Sequence, residues 1–152
     1  MRRFLERGGG WVAGQFLLLA CLLMLTVLRP GTGPAVWRFG GVFFLVVAAA
    51  VALAGTVALG KNLTPFPKPA DHATLIQHGI YAKIRHPLYT AVILAGFGWA
   101  LAWLSWPALM AAVALVLFLH AKSCREESFL RQRFPDYPEY ESRTRRFIPW
   151  IY

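Results

Sequence analysis

Two long apolar stretches without a single charge constrain this chain more than any other feature. Residues 11–28 form the first, opened by Arg2, Arg3 and Arg7 and closed by Arg29-Pro30-Gly31. Residues 39–59 form the second, framed by Arg38 and Lys61. A hydrocarbon core is crossed by about 20 apolar residues in a helix, which satisfies its own backbone groups. A cleaved leader would carry a shorter apolar region and then small residues. Arg-Pro-Gly follows instead, so residues 11–28 read as a span.

Composition agrees. The chain is 57% hydrophobic and 15% charged, where soluble domains carry about 25% charged residues. Its 16 Lys+Arg against 7 Asp+Glu give a formal charge of +9, but so apolar a chain is neither a disordered basic tail nor a nucleic-acid binder. A lipid bilayer is the partner that explains both properties, and no nucleic acid is expected. The 152 residues allow one domain, 1–152. Cys21 lies in an apolar run and Cys124 in a charged one, so both read as free thiols.

Residues 88–104 make a third apolar run, and after Ser105-Trp106-Pro107 residues 108–120 make a fourth. Proline suits the first turn of a helix, so the last two runs read as a helical hairpin with its tip at Ser105. Trp99, Trp103 and Trp106 suit a membrane interface near that tip. The expectation is an all-α membrane protein with four transmembrane helices, over about 11–28, 39–59, 88–104 and 108–120, followed by a helical C-terminal tail. Small residues four apart, Gly10/Gly14 and Ala50/Ala54, are candidates for close helix packing.

Orientation follows from the basic residues. With both termini in the cytoplasm, 14 of the 16 lie inside and only Arg29 and Arg38 lie outside. A multi-pass inner-membrane location is therefore expected, with the polar segments 60–87 and 121–152 on the cytoplasmic side.

Those two segments hold the candidate chemistry. Thr64-Pro65-Phe66-Pro67-Lys68-Pro69 forbids a regular helix and predicts an extended strap. Residues 75–89 then concentrate donors and rings before a helix that Pro87 can open, which would put Arg85 and His86 at an anion-favouring helix mouth. Contact of Lys83 and Arg85 with lipid headgroups is the plainer alternative. Beyond the fourth run, Lys122/Glu126 and Glu127/Arg131 stand four apart as ordinary helix ion pairs would. The adjacent carboxylates Glu126 and Glu127 could also accept ribose hydroxyls or offset a cationic ligand. No Cys/His cluster has metal-ligand spacing, so no metal site is expected.

The ordered set Leu75-Ile76-Gln77-His78-Gly79-Ile80-Tyr81, Arg85-His86-Pro87-Leu88-Tyr89, and Glu126-Glu127 followed by Leu130, Phe134, Tyr137 and Tyr140 resembles the isoprenylcysteine carboxyl methyltransferase family and its bacterial relatives, which include phospholipid N-methyltransferases. Ile80, Ala91 and Pro135 depart from that pattern. The resemblance implies an enzyme that binds S-adenosylmethionine on the cytoplasmic side and methylates a lipophilic acceptor from the bilayer, foremost a carboxylate such as an isoprenylcysteine-like compound. It implies a cofactor site of Gln77, His78, Gly79, Tyr81, Arg85, His86, Pro87, Tyr89, Glu126 and Glu127. A carboxylate is ionised at neutral pH and needs no base; Arg143 or Arg145 would hold it, or contact headgroups. An amine acceptor must lose a proton, which would make Glu127 or a tyrosine a base. A phospholipid amine N-methyltransferase, an NADPH-dependent sterol-reductase-like enzyme and a non-enzymatic membrane subunit are the alternatives.

Overall fold

Each helix boundary has a local cause in the sequence. The computed structural model describes Phe4, residues 6–69 and residues 72–149; Arg2, Arg3 and the aromatic end at 150–152 lie outside the described residues. Among these, five helices follow one another: α1 (Gly9–Leu28), α2 (Ala35–Leu59), α3 (Pro87–Ala102), α4 (Trp106–Arg133) and α5 (Tyr137–Arg143). Short 3-10 turns cover Gly60–Asn62 and Gly79–Ala82. Pro87 and Pro107 lie in the first turns of α3 and α4, where a missing N–H costs nothing. The Ser105 hydroxyl caps α4 by accepting the Ala108 N–H at 3.4 Å. Helix α3 stops because the chain turns through Trp103 and Leu104, the latter at φ 53°.

The span count differs from expectation. Among the described residues, three helices are long and apolar enough to cross a membrane: Gly9–Leu28, Ala35–Asn62 and Trp106–Arg133. The third predicted span is the 16-residue Pro87–Ala102, about 24 Å long at 1.5 Å per residue against a hydrocarbon core of about 30 Å. Four spans are therefore replaced by three. The expected arrangement of a final hairpin with a separate tail also gives way: α3 packs chiefly on α2, α4 packs chiefly on α1, and residues 121–133 belong to the same helix as residues 106–120.

One buried stripe explains why α4 continues through the change from apolar to charged sequence. Ala108, Ala111, Ala112, Leu115, Leu119, Lys122, Ser123 and Glu127 are its buried residues, at the three-and-four spacing of one helical face. Near its start it packs with Leu22 of α1 and Ala100 of α3 in the apolar core; near its end it enters the polar part of the molecule.

Close packing comes from glycines other than those the spacing singled out. A Cβ on Gly41 would stand 2.4 Å from the Ala102 nitrogen and 2.6 Å from the Gly98 carbonyl oxygen, and one on Gly98 would stand 2.9 Å from the Gly41 carbonyl oxygen. The backbones of α2 and α3 thus nearly touch. Ala50 and Ala54 are exposed, and Gly10 faces open space, while Gly14 abuts the Phe118 ring. Phe16, Leu17 and Val27 on α1 and Phe39, Phe43 and Val57 on α2 face outward. Bands of that kind mark a lipid-facing surface, and the molecule is a multi-pass membrane protein.

Candidate active site

The polar end is built where the segment before α3 meets the end of the chain. The Arg85 N–H donates to the Arg145 carbonyl at 2.7 Å, the Arg145 N–H to the Lys83 carbonyl at 3.1 Å, and the His86 N–H to the Arg146 carbonyl at 3.1 Å. Ile84 and Arg145 form a parallel bridge. Two short segments far apart in sequence are thereby zipped beside the polar half of α4.

Glu127 is the centre of this junction, with no exposed side-chain surface. Its Oε1 accepts from Arg85 Nε at 3.0 Å and lies 3.1 Å from His86 Nε2; its Oε2 accepts from Arg146 at 2.6 Å. A buried charge is tolerated only when paired and hydrogen-bonded, and here both oxygens are engaged. Arg85 is held in the same way, since its Nη1 donates to the Glu141 and Thr144 carbonyls at 3.1 and 2.8 Å. The pair therefore assembles the site.

Beside this junction lies a partly open cleft of about 120 Å³. One wall is the strap with Asn62, Thr64, Phe66 and Pro67; another carries Leu75, Ile76 and Tyr81; α3 contributes Leu88 and Tyr89, and α4 and α5 contribute Glu126, Leu130, Tyr137 and Tyr140. Asn62 ties the strap to the next segment through three contacts with Thr74 at 3.2 and 3.3 Å. The buried Lys122 ties it to the helices, donating to the Pro65 carbonyl at 3.1 Å and to Gln15 Oε1 of α1 at 2.7 Å, with its ammonium 5.1 Å from the Tyr89 ring centre.

Glu126 is the one carboxylate among the described lining residues. Its Oε2 accepts from the Tyr89 hydroxyl at 2.5 Å, and its side chain stays 27% exposed. Tyr89 stacks on His86 with ring centres 5.2 Å apart. Tyr140 donates to the Tyr81 carbonyl at 2.7 Å. Burial pushes the phenols of Tyr81, Tyr137 and Tyr140 up, so all three stay protonated at neutral pH.

Of the residues expected from sequence, Tyr81, Arg85, His86, Tyr89 and Glu126 line the cleft. Glu127 sits behind it as the junction, and Pro87 is buried in the first turn of α3. Gln77 accepts from Arg143 at the surface, His78 is exposed, and Gly79 supplies a left-handed turn at φ 60°. Arg143 also pairs with Glu139 at 3.6 Å, and the exposed Arg145 contributes its backbone to the zip. Neither arginine is in the cleft wall. Sequence reasoning did not assign Phe66, Asn62, Leu130, Phe134, Tyr137 or Tyr140 to the site. A signal existed for the last wall: Glu126, Leu130, Phe134 and Tyr137 recur at intervals of four, four and three, the spacing of one helical face. Among the described residues no group of three or more His, Cys, Asp or Glu stands ready to hold a metal ion.

A bundle of apolar helices carrying a polar, aromatic-lined cleft at one end defines a membrane-embedded binding protein or enzyme. A family model of phospholipid methyltransferases matches residues 36–137, and the chain belongs to that family. It is thus a membrane enzyme that uses S-adenosylmethionine to methylate a lipophilic substrate. It is similar to protein-S-isoprenylcysteine O-methyltransferase A of Arabidopsis thaliana, 29% identical over 89% of this chain and 72% of the relative. A probable protein-S-isoprenylcysteine O-methyltransferase of Oryza sativa subsp. indica is 29% identical over 73% of this chain and 60% of its own length. The cobalt-zinc-cadmium resistance protein CzcN of Cupriavidus metallidurans is 37% identical over 50% of this chain and 36% of its own length. The cleft wall carries polar groups at Asn62 and Thr64 and apolar ones at Phe66 and Ile76, and the hydroxyl of its Tyr137 is buried without a partner.

Proposed function

We propose that this chain methylates the amine headgroup of a membrane lipid, in the cleft bounded by Tyr81, Tyr89, Glu126 and the Pro65–Pro67 strap, on the cytoplasmic face. The observation that carries the acceptor class is the charge lining the cleft. Glu126 is a carboxylate with exposed surface there, whereas Arg85 is neutralised by the fully buried Glu127 and spends Nε and Nη1 on that carboxylate and two carbonyls. Arg143 and Arg145, which would have held an acceptor carboxylate, are exposed outside the wall. A cleft so arranged favours a cationic acceptor. Orientation rests on the basic residues: Arg7, Lys61, Lys83, Arg85, Lys122, Arg125, Arg131 and Arg146 belong to the cleft end, and Arg29 and Arg38 to the opposite end, where α1 stops and α2 begins.

S-adenosylmethionine supplies an electrophilic methyl carbon, whose bond to sulfur breaks as the bond to the acceptor forms. Glu126 draws in the ammonium group and takes its proton, which frees the nitrogen lone pair to form the new N–C bond. Tyr89, bonded to Glu126 Oε2, fixes the carboxylate. Phe66, Leu130 and Phe134 exclude water, so the main contribution of the walls is alignment.

The test is methylation by the purified chain in nanodiscs, with labelled S-adenosylmethionine and either phosphatidylethanolamine or a farnesylcysteine acid as acceptor. Incorporation into the amine lipid, cut about 100-fold or more in Glu126→Gln with cofactor binding retained, is the expected result. Incorporation into the acid with Glu126→Gln unimpaired overturns the amine reading in favour of carboxyl methylation, to which the similarity with the plant enzymes would then point.

A further inference from the structure

The two tyrosines of α5 face the cleft under different circumstances. Tyr140 is 3% exposed and its hydroxyl is bonded to the Tyr81 carbonyl at 2.7 Å. Tyr137 is 1% exposed, its ring packs edge-on against Tyr140 with centres 5.8 Å apart, and its hydroxyl is buried with no hydrogen-bond partner. Leaving a buried hydroxyl unpaired is costly, and natural proteins seldom do so without a reason. Phenylalanine would fill the same space without that cost.

The surroundings point to what the hydroxyl awaits. Arg85 and both oxygens of Glu127 are already engaged, and Glu126 Oε2 is held by Tyr89. A ligand entering this end of the cleft finds Nε and Nη1 of Arg85 occupied, although that arginine looks from sequence like the anchor. Tyr137 stands in the same wall with its capacity unspent. Of the two ligands such an enzyme needs, the methyl donor is the one rich in carboxylate, hydroxyl and ring-nitrogen acceptors, while a lipid brings most of its surface as hydrocarbon.

We propose that the Tyr137 hydroxyl is a direct hydrogen-bonding contact to the methyl donor, and that Arg85 serves to position the wall that carries it. This rests on the reading that the cleft is the cofactor site. Burial keeps the phenol protonated, so it donates to an acceptor atom of the donor molecule. The hydroxyl has no partner within the protein, so binding would make a bond that folding left unmade.

Calorimetry with S-adenosylhomocysteine and thermal unfolding of the ligand-free protein, both in nanodiscs, test this on wild type, Tyr137→Phe, Tyr140→Phe and Leu130→Trp. Tyr137→Phe is expected to raise the Kd about 3- to 10-fold while the ligand-free Tm stays level or rises. Tyr140→Phe, which strands the Tyr81 carbonyl, is expected to lower the Tm. A merely structural hydroxyl gives the opposite pattern for Tyr137→Phe, a lower Tm and unchanged affinity, and that result overturns the proposal. Leu130→Trp separates the two levels. If filling the cleft abolishes binding while Tyr137→Phe binds normally, only the hydroxyl's role fails; if Leu130→Trp binds normally, the cleft is not the cofactor site and both fail.

Discussion

Helix α2 turns Phe39, Phe43 and Val57 outward, while α4 encloses the carboxylate of Glu127 completely. The apolar body thus shows its large side chains to the bilayer and brings two helix backbones together where side chains are absent, at Gly41 and Gly98. The polar end does the reverse, bringing long charged side chains inward and saturating them. The difference follows from the solvents. Lipid tails give helices no hydrophobic reason to associate, so close backbone approach supplies the attraction. At the polar end each charge withdrawn from water must be matched.

Removing Glu127 should break this contrast most severely. Glu127→Ala removes the carboxylate that Arg85 and Arg146 share at the junction and is expected to cost about 3–5 kcal/mol, read as a large fall in Tm with loss of cofactor binding. Gly98→Val tests the apolar side. Its first added carbon already meets the Gly41 carbonyl oxygen at 2.9 Å, so a loss of about 1–3 kcal/mol is expected. Lys122→Met keeps the bulk but orphans the Pro65 carbonyl and Gln15. A loss of about 1–2 kcal/mol should come with faster proteolysis of the strap.

A smaller effect is expected from alkali. The folded state holds Tyr81, Tyr137 and Tyr140 protonated, their phenols raised above 10.0 chiefly by burial, while the unfolded chain ionises near pH 10. Stability from these groups is full below that point and declines as pH rises through it, by about 0.4 kcal/mol per phenol at pH 10. Denaturation monitored from pH 8 to 11 checks the sign. Phe16→Ala on the lipid face should change stability least, within about 0.5 kcal/mol; a loss comparable to that of Gly98→Val would show that α1 packs against something other than lipid.

How much of this the sequence disclosed depends on the kind of cause. Proline positions and the Ser105 cap are local, and they mark the starts of α3 and α4 correctly. The partnership of Arg85-His86 with Glu126-Glu127 was legible through the family resemblance, because charged residues flanking apolar helices have few places to go. The span count failed because hydropathy saw residues 88–104 as one apolar run, whereas the turn at Leu104 leaves a helix too short to cross. Tyr137 and Phe66 were missed for another reason. Aromatic residues among prolines look like surface punctuation, and although the spacing from Glu126 to Tyr137 hints at a shared face, bringing the strap and α5 against the same cleft is a long-range event.

The pairing of Arg85 with Arg145 and of His86 with Arg146 also fixes when the catalytic end comes into being. A growing polypeptide can lodge its first two apolar helices in the bilayer as they emerge from the ribosome, yet Glu127 lacks its Arg146 partner until that residue has been synthesised. Activity therefore switches on only once Arg146 has been added, and nascent chains halted before that point would be membrane-bound but inert.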